Sequence, residues 1–253
     1  MDQAVQSPEP LVLEGETLDM VDKFCYLGDT IGAGGGAREC SVTRVRCAWK
    51  KFRELLPVLT SRRFSLRKKG RAYRACVRSV LLYGCETWAV KEEDTQRIER
   101  SDRAMIRWIC GASLKDGKSS DELLKLLGIE SISQKMCNDR LRWLGHVERK
   151  GGDDWVSKCR KIDMGPGKRG RPIKNWKEVL RADMKGKGID EEYVSELVQS
   201  QEGWRDACRI GNREGVRAVL ERVQSKAAAA SDTAACANDP GPSRRLTRSS
   251  RTL

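Results

Sequence analysis

Apolar positions along this chain follow two different periods, and the switch between them predicts its elements. In LVLEGETLDMVDKFCYLGDTIGAGGG, residues 11–36, they fall as in strands: Glu14-Gly15-Glu16 suits a tight turn, and Phe24, Tyr26 and Ile31 suit strand positions. Gly32 and Gly34 to Gly36 then form a flexible turn. Two or three such strands do not stand alone, so this sheet reads as the edge of something larger. From Thr43 the spacing becomes helical, with Val42, Val45, Trp49, Phe52 and Leu56 on one face and Pro57 near the end of the pattern. A second helix carries Tyr73, Cys76, Val77, Val80 and Leu81. A third carries Ile98, Asp102, Met105, Ile106 and Ile109, with Gly111 as its stop.

Farther along, Ser119-Ser120-Asp121-Glu122 predicts the start of a short helix ending at Gly128. Ile132, Met136, Trp143, Leu144 and Val147 continue the helical period until Lys150-Gly151-Gly152 breaks it. Residues 165–172, GPGKRGRP, form a basic linker into a helix with Ile173, Trp176, Leu180 and Met184 on one side and Pro172 in its first turn. A last helix is expected over much of 204–223, and the Ala-, Ser- and Pro-rich stretch beyond Lys226 reads as a disordered tail with Arg244, Arg245, Arg248 and Arg251. The expected fold class is mainly α: a short N-terminal β-hairpin or sheet edge, a helical bundle, further helices and a disordered tail.

Charge sharpens this picture. The 253 residues carry a formal net charge of +13, which points to a polyanionic partner, because Lys and Arg release counterions when they neutralise phosphates. The distribution is uneven. Before residue 40 eight acids face only Lys23 and Arg38, whereas Thr43–Arg74 holds twelve basic residues against one acid, Glu54. No apolar run is long enough to span a bilayer, and the acidic opening residues lack the basic-then-apolar order of a signal peptide, so a nuclear or cytosolic location is expected, nuclear favoured. The ten cysteines include no C-x-x-C pair, so they read as reduced, mostly small core residues rather than metal ligands.

Catalytic chemistry finds little purchase. The adjacent acids Asp153-Asp154 follow Gly151-Gly152 and read as a solvated loop, and GAGGG lacks the G-K-S/T of a phosphate loop. The one histidine, His146, sits in a helical pattern and reads as structural, and no cysteine has a nucleophile's local signature. No cofactor is expected. Binding signals are stronger: Arg44, Arg46, Lys50, Lys51, Arg62, Arg63, Arg67, Lys68, Lys69 and Arg71 are interleaved with Trp49, Phe52, Phe64 and Tyr73, as in helices packing one face inward and turning the other to phosphates. Lys168, Arg169 and Arg171 add an R-G-R-P core. It resembles an AT-hook, whose Arg side chains enter a narrow A·T minor groove, and reads equally as a basic lead into a Pro-started helix.

Four strings together resemble the C-terminal part of a LINE-type (non-LTR) retrotransposon reverse transcriptase: DKFCYLGDTI at 22–31, VRSVLLYGCETWAVKEED at 77–94, RLRWLGHVERK at 140–150 and GKRGRPIKNWKEVL at 167–180. The resemblance covers roughly residues 11 to 190. It implies that Phe24, Cys25, Tyr26, Leu27 and Gly28 match the primer-grip hairpin closing the polymerase palm, and that residues 37–130 form a thumb-like region gripping template–primer duplex by its backbone. Residues 131–225 would be a post-thumb helical region and 226–253 an Arg-rich tail. The family's Tyr/Phe-x-Asp-Asp strand is missing, so the expected activity is non-specific binding of DNA or RNA–DNA duplex without nucleotidyl transfer, with retrotransposon or chromatin proteins as further partners. Two alternatives remain open here. One is a chromatin-associated binder of A·T-rich DNA acting through R-G-R-P; the other is the end of an active reverse transcriptase whose palm lies upstream.

Overall fold

A computed structural model describes residues 12–32, 37–161 and 174–237. The chain is mainly helical, with two small antiparallel strand pairs at the N-terminal end. Strands β1 (Val12–Leu13) and β2 (Glu16–Thr17) pair through a turn at Glu14-Gly15, both at positive φ. Strands β3 (Lys23–Tyr26) and β4 (Asp29–Gly32) pair through Leu27-Gly28 at φ 49° and 78°, the twist that suits a two-residue hairpin loop. Thus the expected strands form two separate hairpins rather than one sheet. Their large apolar side chains, among them Val12, Phe24, Tyr26 and Ile31, lie exposed.

The described residues divide into two compact units, one built within Met1–Trp143 and Asp163–Ala182, the other within Leu144–Ile162 and Asp183–Leu253. In the first unit, helix α1 (Arg38–Glu54) buries Cys40, Arg44, Ala48 and Phe52, a stride of four that keeps one face inward. A short helix α2 (Leu56–Leu59) accepts Pro57 in its first turn, where the missing N–H costs nothing. Helix α3 (Leu66–Tyr73), a π-helical turn (Arg74–Arg78) and α4 (Ser79–Leu81) follow one another without a break and bury Tyr73, Val77, Arg78 and Leu81. Helix α5 (Glu92–Cys110) buries Ile98, Asp102, Met105, Ile106 and Ile109 and stops at Gly111 in the left-handed conformation. Helix α6 (Ser120–Leu127) opens with a capping box, Ser119 accepting from the Glu122 N–H and Glu122 accepting from the Ser119 N–H, and ends on left-handed Gly128. Helix α7 (Ile132–Glu148) starts by burying Ile132 and Met136 in the same core. Phe52 is fully buried at that core's centre, edge-on to Tyr73 at 6.3 Å and to Trp108 at 5.8 Å, a side chain whose burial contributes roughly 1.5–3 kcal/mol.

The second unit packs Leu144 and Val147 of α7, Met184 of α9 (Trp176–Lys187), Leu197 and Val198 of α10 (Val194–Gln199), Trp204 of α11 (Gln201–Ile210) and Val216, Val219 and Leu220 of α12 (Arg213–Ala237). Helix α8 (Trp155–Lys161) is a further element that the apolar spacing did not mark. Two boundaries differ from expectation. The single helix expected over 204–223 is two, because Gly211 turns left-handed at φ 71° and Asn212 accepts from the Gly215 N–H to cap a new start. That second helix runs on to Ala237, since the Ala-rich stretch read as tail has high helix propensity. Likewise α9 begins at Trp176 behind Asn175, whose side chain accepts from the Glu178 N–H. Pro172, expected in that helix's first turn, lies outside the described residues, as does the tail from residue 238.

Candidate nucleic-acid interface

Two helices present cations at helical spacing. On α1, Arg46, Lys50 and Arg53 stand at i, i+4 and i+7, all exposed. On the α3 run, Arg67, Arg71 and Arg74 do the same, with Lys68 exposed beside them and Arg62 and Arg63 on the loop before it. Among the described residues none of these nine has an ion-pair partner, although Arg46 helps, at longer range, to hold the Glu39 carboxyl down. At a rise of about 1.5 Å per residue each stripe is roughly 10 Å long, the reach of a few phosphates on one strand. Arg53 and Arg74 were not among the expected contact residues, although their spacing marks them in the sequence.

The remaining expected contacts separate from this surface. Lys51 is half-buried and paired with Glu54 at 3.0 Å. Lys69, expected on the phosphate-facing side, is instead buried at 7 % exposure, because it follows Leu66 on the turn of α3 that faces the core. Arg44 is corrected in the same way: at 8 % exposure it donates to the Gly28 carbonyl at 2.6 Å and lies 4.3 Å from the centre of the Tyr83 ring. Its position in the stride Cys40–Arg44–Ala48–Phe52 places it on the buried face of α1. It serves as a strut between hairpin, helix and Tyr83. Lys168, Arg169 and Arg171 lie outside the described residues.

The primer-grip-like segment is the β3–β4 hairpin itself. Phe24 and Tyr26 stack at 6.4 Å on the exposed face, Leu27 sits at the turn tip, and Cys25 points with Lys23 and Thr30 to the opposite face. That opposite face is tied to α1: Thr30 and Thr43 hydroxyls meet at 3.2 Å, the Cys40 thiol donates to the Thr30 carbonyl at 2.9 Å, and Lys23 pairs with Glu39 at 2.9 Å. The hairpin is therefore positioned by α1, the same helix that carries the first basic stripe.

Beneath the second stripe lies a buried charge pair. Arg78 donates through Nε and Nη2 to both oxygens of Asp102, at 2.9 and 2.7 Å, and through Nη1 to the Glu130 carbonyl at 2.6 Å. The Tyr73 hydroxyl donates to Asp102 at 2.8 Å. Burial, with the Asp102 carboxylate next to it, pushes the Tyr73 phenol well above its ordinary value. Desolvation opposes the charge on Arg78, but its bonds to Asp102 outweigh that and hold it protonated. The π-helical turn that begins at Arg74 widens the helix where the exposed stripe ends and this buried pair begins.

Asp153 is fully exposed, while Asp154 caps α8 by accepting from the Val156 N–H and is paired with Lys150, which holds its carboxyl below the usual range. Burial pushes the Cys85 thiol up to about 12 and the Cys40 thiol up to about 11, so neither is a thiolate near neutrality. Among the described residues no three His, Cys, Asp or Glu side chains converge as a metal-binding group, and no helix is long and apolar enough to cross a membrane.

The chain is similar to an uncharacterized transposon-derived protein of Caenorhabditis elegans, 23% identical over 204 residues that cover 76% of this chain and 72% of the worm protein. No protein-family model matches the chain, and no solved structure does.

Proposed function

We propose, from this likeness to a transposon-derived protein, that the chain is a nucleic-acid grip of LINE-type reverse-transcriptase origin that holds duplex by its phosphate backbone. One observation carries the reading. Six exposed, unpaired cations stand in two i, i+4, i+7 stripes on α1 and the α3 run, with Arg62, Arg63 and Lys68 beside the second. An ordinary solvated helix face mixes signs and pairs its charges at i+4, as Arg103 does with Glu99 on α5. These two faces leave positive charge unpaired, the arrangement that phosphates neutralise. Backbone contacts position a duplex without reading its sequence, so the grip is non-specific. The hairpin β3–β4, fixed to α1 by Arg44, takes the place of the primer-grip element in this reading. The proposed activity is binding without nucleotidyl transfer, and the duplex is DNA or an RNA–DNA hybrid.

Fluorescence anisotropy with a labelled RNA–DNA hybrid at low salt tests this. Replacing Arg62, Arg63, Lys68 and Arg71 together by Ala is expected to weaken binding to hybrids of unrelated sequence by about the same factor. Unchanged affinity in that variant, or no binding by the native chain, overturns the reading.

A further inference from the structure

The second stripe leads somewhere. Its last member, Arg74, also lines a cavity of about 580 Å³ formed by the π-helical turn, the Leu82–Glu86 segment and the first half of α7. That volume lies in the range of roughly 300–1,000 Å³ found for small-molecule sites. Most polar groups around it are already engaged. Arg78 is bound to Asp102, Asp139 is paired with Lys135 and Arg142, and the Glu130 carboxylate accepts from Asn138 at 3.2 Å.

Two side chains are left over. Arg74 has no partner among the described residues. Tyr83 is 52 % exposed, with the Arg44 guanidinium against its ring. Glu86 Oε2 is fully buried without a hydrogen-bond partner, so it meets no water-sized space and stands out of the cavity's reach. A free cation and an exposed aromatic ring on one cavity correspond to the phosphate and the base of a nucleotide.

We infer that this cavity takes a single unpaired nucleotide of the bound nucleic acid, its base against Tyr83 and its phosphate on Arg74. The inference rests on the proposed duplex grip, because Arg74 belongs to both: a strand followed along Arg67 and Arg71 reaches the cavity at its end. Arg44 gives the ring a fixed seat from behind, which lowers the ordering needed when a base stacks on it.

The test compares a flush-ended RNA–DNA hybrid with the same hybrid carrying one unpaired guanine nucleotide, placed in turn at each strand end. The best overhang is expected to bind about tenfold more tightly than the flush hybrid, the scale of one base–aromatic stack. Tyr83→Ala should bring that ratio to about one. Equal affinity for flush and overhanging hybrids in the native chain overturns the inference, as does a ratio unmoved by Tyr83→Ala. If neither hybrid binds, the duplex grip has failed, and free guanosine 5′-monophosphate then decides the cavity. Its addition should shift the amide resonances of residues 83–86, and their silence at millimolar nucleotide refutes the site.

Discussion

Arg78 and Asp102 are 3 % and 4 % exposed, and every polar atom that matters around them is used: two bonds between the pair, one from Tyr73 and one to the Glu130 carbonyl. A buried pair of this kind contributes little over a well-packed apolar alternative, but breaking it leaves a charge that the core cannot solvate. Asp102→Ala is therefore expected to lower the unfolding free energy by about 3–5 kcal/mol in urea denaturation, a loss of less than about 1 kcal/mol contradicting the assignment. Arg44 teaches the complementary lesson. Charge density alone placed it with Arg46 and Lys50 on the phosphate side. Its register on α1, four residues from both Cys40 and Ala48, puts it on the buried face with its guanidinium on Gly28 and Tyr83. Lys69 fails in the same way on α3.

Among elements, those with a clear apolar period closed by a glycine stop are legible, whereas α8 and the start of α12, though capped by Asp154 and Asn212, are not. Helices α5 and α6 announce themselves through their periodic apolar faces and through Gly111, Ser119 and Gly128, which end or begin them in the structure as expected. The break at Gly211-Asn212 leaves no mark in the apolar spacing, which continues across it from Trp204 to Val216 and Leu220. Ala-rich 227–237 was read by composition as tail, although alanine opposes helix less than any other residue. Glycine inside helices separates by its surroundings. On α3 a Cβ at Gly70 would stand 2.1 Å from the Leu127 carbonyl oxygen, so α3 and α6 approach closely there only because no side chain intervenes. On α9 a Cβ at Gly186 meets nothing within 4 Å. Gly70→Ala should destabilise by about 1–3 kcal/mol or more, while Gly186→Ala should be neutral or stabilising by up to about 1 kcal/mol, both read from thermal or urea unfolding. Equal responses at the two positions would contradict this packing of α3 on α6.

At the scale of the whole molecule, charge is the property that sequence and structure report in common. A net +13 says only that a polyanion is favoured, which a membrane surface or an acidic protein also satisfies. The structure turns that excess into a surface by leaving Arg46, Lys50, Arg53, Arg67, Arg71 and Arg74 exposed and unpaired while it buries Arg44, Lys69 and Arg78. The likeness is to a transposon-derived protein and names no partner. Counterion release gives the grip a signature that no apolar contact imitates. The decisive measurement is the slope of log affinity against log salt for an RNA–DNA hybrid, taken with the native chain and with the Arg62, Arg63, Lys68 and Arg71 quadruple Ala variant. A backbone grip predicts a steep negative slope for the native chain, made shallower in the variant by about 3–4, close to one for each phosphate contact removed. A slope near zero, or one that the four substitutions leave unchanged, contradicts it.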